Sequence, residues 1–113
     1  MSKRDYLTKD ERRLAILGAA FLIAKRHGLK SLSRDSVAKV AGAANGTVSY
    51  CFGNMDGLRS AVITKAIAVV KSDDKRLDKY SSLRLIAEGI ICGIDTALNA
   101  PKLLRTQALN SLK

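Results

Sequence analysis

The residues best suited to chemistry lie between Leu32 and Leu58, in the stretch LSRDSVAKVAGAANGTVSYCFGNMDGL. Asn45, Gly46, Thr47, Ser49, Tyr50 and Cys51 fall within seven positions of one another and carry no charge. Hydroxyl and amide groups so spaced can bond base edges or phosphate oxygens. Thr47 and Tyr50 can equally support the first turn of a helix and pack on the domain. Asn45 also has two readings. It can pair bidentately with an adenine, or it can cap the helix that follows, and its position favours the cap. Arg34 is placed to meet a phosphate or water. Upstream, Lys3, Arg4, Lys9, Arg12 and Arg13 make a basic arm. Residues 1–30 hold eight basic and three acidic side chains, so this segment carries +5 of the chain's +10. An arm that follows phosphates has this asymmetry.

Other chemistry is excluded by composition. No nucleophile–base pair, catalytic carboxylate pair or phosphate-cradling glycine loop is visible, so no enzyme and no cofactor is expected. Cys51 and Cys92 are the two cysteines and His27 the one histidine, too few for a structural zinc site or a disulfide framework. His27 stands beside Gly28 and suits a helix C-terminus. The thiol content reads as cytosolic. Leu14 to Ala24 resembles the apolar part of a signal peptide, yet acids dilute the basic start and Lys25-Arg26 end the run without a small-residue cleavage site. The run is also shorter than the roughly 20 residues that cross a bilayer. A charge of +10 calls for a polyanionic partner. A membrane surface fits less well than nucleic acid, because the basic arm precedes the apolar stripe instead of lining it.

These side chains need a scaffold, and 113 residues supply one domain with a modest core. Periodicity predicts an all-α fold. A first helix runs from Asp10 to His27, with Leu14, Leu17, Phe21 and Ala24 on one face, widened by Ile16, Ala20 and Ile23. Gly28 stops it. A second helix starts at the cap Ser33, buries Val37, Val40 and Ala41, and ends at Gly42. A third covers Gly46 to Cys51, too short to stand alone, with Val48 and Phe52 as inward anchors. A fourth runs from Asp56 to Lys71 on Leu58, Val62, Ala66 and Val69. The charged run Lys71 to Tyr80 reads as a solvated turn. Leu83 to Ala100 is expected as one helix, and Leu103 to Leu112 as a last one with Leu104, Ala108 and Leu112 in register. The organisation is thus an arm (1–11), a helix-turn-helix unit (12–70) and a short helical dimerisation segment (71–113).

Several spaced positions match a known pattern together. They are Ile16 and Ala20, Gly28, Ser33, Val37-Ala38, Ala41-Gly42, Gly46-Thr47-Val48, Ser49-Tyr50, Phe52-Gly53 and Leu58. Over Arg12 to Val69 the chain resembles the N-terminal DNA-binding domain of the tetracycline-repressor (TetR) family. The resemblance implies a three-helix unit with a linking helix, a homodimer, and repression at palindromic operators. Three positions depart from the family. Ala43-Ala44 stand where members often carry Val-Ser, Cys51 where many carry His, and Met55 where many carry Lys. These are common backbone contacts, and the basic arm can replace them. The C-terminal part is also far shorter than in members, so no small-molecule effector is expected. The surplus apolar stripe of Leu83, Ile86, Ile90, Ile94, Leu98 and Leu104 is assigned to the dimer, where Gly89 and Gly93 let helices approach closely. Three functions follow as expectations: a regulator of transcription, a plasmid- or phage-type partition or replication protein, or a helix-turn-helix module that binds a protein.

Overall fold

The fold was obtained as a computed structural model and describes residues 8–72 and 78–113. Among these residues it is all-helical and holds no strand. The helices are α1 (Lys9–His27), α2 (Arg34–Ala41), α3 (Asn45–Phe52), α4 (Met55–Ser72), α5 (Lys79–Cys92), α6 (Asp95–Asn99) and α7 (Lys102–Asn110). A 3-10 turn over Leu29–Ser31 joins α1 to α2.

Local chemistry sets most of these boundaries. Thr8 and Glu11 form a capping box at α1, each satisfying the other's backbone N–H. Ser33 does the same with Ser36 at α2. The Asn54 side chain accepts from the Gly57 N–H at 2.8 Å and opens α4. Asp78 caps α5 by accepting from the Ser81 N–H at 3.1 Å. The Ser81 hydroxyl, and then that N–H, hold the Asp78 carboxyl below the usual aspartate range. Gly42 closes α2 in the left-handed conformation, at φ 69°, where a side chain would be strained.

One core runs through the chain. Ile16, Ala20 and Ala24 of α1 meet Val37 of α2, Val48 of α3 and Leu58, Val62 and Ala66 of α4. Leu85 and Ile86 of α5, with Leu104 and Ala108 of α7, extend the same cluster. Two expected core positions lie outside it. Leu14 is 67% exposed and Val40 is 53% exposed. The apolar stripe read on α1 was wider than one helix face can bury, and α2 is covered along Val37, Ala38 and, in part, Ala41, which leaves Val40 to solvent.

The C-terminal part departs further from expectation. The single helix over Leu83 to Ala100 is broken at Gly93, which takes φ 77° and donates its N–H to the carbonyls of Gly89 and Ile90. The next turn, Asp95 to Asn99, is left-handed, with φ from 40° to 62°. For non-glycine residues that backbone costs roughly 1–2 kcal/mol each. Ala97 is fully buried within this turn. Helix α7 ends at Asn110, so Leu112 lies beyond it and is exposed, whereas Leu104 and Ala108 face the core.

Between α4 and α5 the backbones approach closely. A Cβ at Gly89 would stand 2.3 Å from Ile63 Cδ1. Gly89 therefore serves packing within the chain, and Gly93 serves a helix end. Glu88, one position before Gly89, bridges to the other half of the chain. Its carboxylate accepts from the Leu29 N–H at 2.8 Å and lies 3.5 Å from Arg84 Nε.

Candidate nucleic-acid interface

The polar series from Asn45 to Cys51 is carried by α3 and clamped by its neighbours. Val48 is buried, and Phe52 packs half-buried against the core. The end of α3 lies hard against the start of α4, since a Cβ at Gly57 would stand 2.3 Å from the Phe52 carbonyl oxygen. These contacts fix a helix of eight residues that would be marginal alone. The remaining positions face outward to different degrees. Asn45, Gly46 and Tyr50 are exposed, and Thr47, Ser49 and Cys51 are half-buried.

Asn45 is not the cap of α3. Ala44 holds that position in extended backbone, with no side-chain bond to offer, and Asn45 is already the first helical residue. A residue inside the helix is past the place from which a cap works. Its amide Nδ2 donates instead to Asp35 Oδ1 in the first turn of α2. The ten-residue separation hides this bond from any reading of local spacing.

The start of α1 crosses the same face. Lys9 Nζ lies 4.8 Å from the centroid of the Tyr50 ring, and Arg13 Cζ lies 4.7 Å from that of Phe52. Both are cation–π distances. Lys9 and Arg13 are four apart and share one helix face, a signal that pointed to neither aromatic partner. Arg34 is exposed in the first turn of α2. Lys3 and Arg4 lie outside the described residues.

The assembled surface therefore combines hydroxyls, an amide, an aromatic ring and several cations. Its N-terminal edge also carries the Asp35 carboxylate. No acidic or basic side chain occurs on α3 itself.

The six residues assigned to dimerisation sit differently. Ile86 and Leu104 are buried in the chain's own core, and Leu83, Ile90, Ile94 and Leu98 are partly buried against it. They are taken up by α4, α5 and α7 packing together, which the expected surplus did not allow for. The exposed large hydrophobic side chains of this part are Tyr80, Ile91, Leu103, Leu109 and Leu112. A cleft of about 340 Å³ opens beside Ile91, between the end of α1 and α5, lined in part by His27, Lys30, Glu88 and Cys92. A groove of about 500 Å³ runs between α1 and α4, beside Leu14 and Lys65.

Cys51 is half-buried and Cys92 exposed, and both are free thiols. Among the described residues no group of three His, Cys, Asp or Glu side chains could hold a metal ion. No helix among them is long and apolar enough to cross a membrane. No protein-family model matches this chain, and no curated protein or solved structure does.

Proposed function

We propose that this chain is a sequence-specific double-stranded DNA-binding protein, a homodimeric regulator of transcription acting as a repressor. The reading takes α2, the Gly42 turn and α3 as a helix-turn-helix of the TetR type, with α1 and α4 as its supports. The observation that carries it is the convergence on α3. Asn45, Thr47, Ser49 and Tyr50 can address base edges, and Lys9 and Arg13, over the Tyr50 and Phe52 rings, with the exposed Arg34 offer cations to phosphates. Side chains from the N-terminal part of a recognition helix enter the major groove in this mode. Cations beside it set register and supply affinity.

Dimerisation follows from the same task, because one short helix reads few bases and two read a palindrome. With Ile86 and Leu104 inside the core, the contact is assigned to the exposed Ile91, Leu103 and Leu109 of α5 and α7. One observation favours a second reading. The lack of any charged side chain on α3, with Tyr50 71% exposed, also suits a protein partner.

Fluorescence anisotropy of labelled duplexes across a salt series separates the two. A DNA regulator binds, and log Kd changes linearly with log salt, at about 0.9 per phosphate contacted. Replacing Lys3, Arg4 and Lys9 with alanine flattens that slope. Absence of binding at low salt, with a wild-type helical spectrum, leaves the protein-partner reading.

A further inference from the structure

We infer that Asn45 reads an adenine and that Asp35 is the residue that positions it. The inference rests on the DNA-binding reading above and gives it a base preference. Its starting point is the bond from Asn45 Nδ2 to Asp35 Oδ1. An ionised carboxylate only accepts, so the amide must turn an N–H toward Asp35. An asparagine amide has two N–H donors and one carbonyl. One donor is spent on Asp35. With the N–H anti to the carbonyl spent on Asp35, the other N–H and the carbonyl oxygen lie side by side on one planar group.

That pair has a complement in the major groove. Adenine presents the N7 acceptor next to the N6 amino donor. Guanine presents two acceptors, cytosine a donor, and thymine an acceptor and a methyl. Asn45 is also the first residue of α3 and is exposed. The N-terminal residues of such a helix are the ones that reach base edges. Because Asp35 already orders the amide, contact with a base carries less of the usual ordering cost.

The location of Asp35 fits this role. An acid in the first turn of α2 suits the helix dipole. The dipole does not explain a bond to the next helix. A carboxylate on a face meeting phosphates also opposes binding, and positioning a base-reading amide offsets that cost. Fastening α2 to α3 would be a purely structural use of the same bond, so the test must read base preference and not stability alone.

Duplexes are selected from a random pool with the wild-type chain, Asn45→Ala and Asp35→Ala. Both side chains are exposed, so all three proteins are expected to keep the wild-type circular dichroism spectrum. The wild type should select adenine at one position of each half-site. Asn45→Ala should lose that preference and keep the others. Asp35→Ala should weaken it while binding random DNA at least as tightly. Exchanging the selected adenine for 7-deazaadenine removes the N7 acceptor. This should weaken wild-type binding about tenfold to hundredfold and leave Asn45→Ala unchanged. An adenine preference that survives Asn45→Ala overturns the assignment, as does a wild type that binds DNA without one. A lower melting temperature in Asp35→Ala with unaltered preference overturns the positioning role. A wild type that binds no duplex overturns the DNA reading, and this inference with it.

Discussion

Gly89→Ala separates packing inside the chain from packing between chains. Helix propensity alone favours alanine by about 1 kcal/mol at an interior position. The structure reverses the sign. The new Cβ would stand 2.3 Å from Ile63 Cδ1 and 3.2 Å from Ile63 Cγ1. Ile63 is fully buried, so its side chain has no solvent to swing into. Overpacking of this kind costs about 1–3 kcal/mol. The net expectation is a loss of up to about 2 kcal/mol, or several degrees in melting temperature. A second substitution makes the argument specific. Ile63→Val removes Cδ1 and alone costs about 0.5–1.5 kcal/mol. In the Gly89→Ala background it should cost nothing or restore stability, a coupling on the order of 1 kcal/mol. Urea unfolding followed by far-UV circular dichroism measures all four proteins, with sedimentation as a control for association. If Gly89→Ala is stabilising, or its effect is independent of Ile63, the close approach of α4 and α5 is refuted. If it weakens self-association without a change in unfolding, Gly89 lies between subunits.

Further outcomes are expected elsewhere. Thr96 is exposed at φ 51°, so Thr96→Gly should stabilise the chain by about 1 kcal/mol in the same urea assay, and a loss would mean a right-handed native turn. Asp78→Ala should cost about 1 kcal/mol by removing the α5 cap. Because the folded Asp78 carboxyl titrates below its unfolded value, the cap contributes fully above the ordinary aspartate range. Its contribution is lost as pH falls through the folded value, so wild type and Asp78→Ala should converge in acid; parallel curves would contradict this. In the free protein Cys92, exposed, should alkylate faster than Cys51, half-buried, and duplex DNA should slow Cys51 alone. Equal slowing of both thiols would move the interface away from α3.

The first four helices were legible because their ends carry strong local signals. Ser33, Gly28 and Gly42 act through backbone chemistry within a few residues, and Val37, Val48 and Leu58 repeat at helical spacing. The α5–α6 break was not legible. Gly93 falls inside a continuous apolar stripe, and periodicity alone cannot tell a packed helical glycine from a left-handed stop. At Thr96, Ala97 and Leu98 the left-handed turn has no propensity signal. At the candidate interface the residue types were readable and their partners were not. Lys9 over Tyr50, Arg13 over Phe52 and Asn45 on Asp35 join different helices, so sequence distance says nothing of them. The apolar C-terminal residues were read as surplus because the close approach at Gly89, which lets α5 cover α4, was not foreseen.

On the reading proposed above, the surface formed by α3 and the start of α1 meets duplex DNA. Titrating a duplex into isotope-labelled protein, and following backbone amide shifts, tests it residue by residue. The largest changes are expected at Gly46 to Cys51, at Lys9 to Arg13 and at Arg34, with α7 unmoved. An unchanged spectrum, or shifts gathered along α5 and α7, would contradict it.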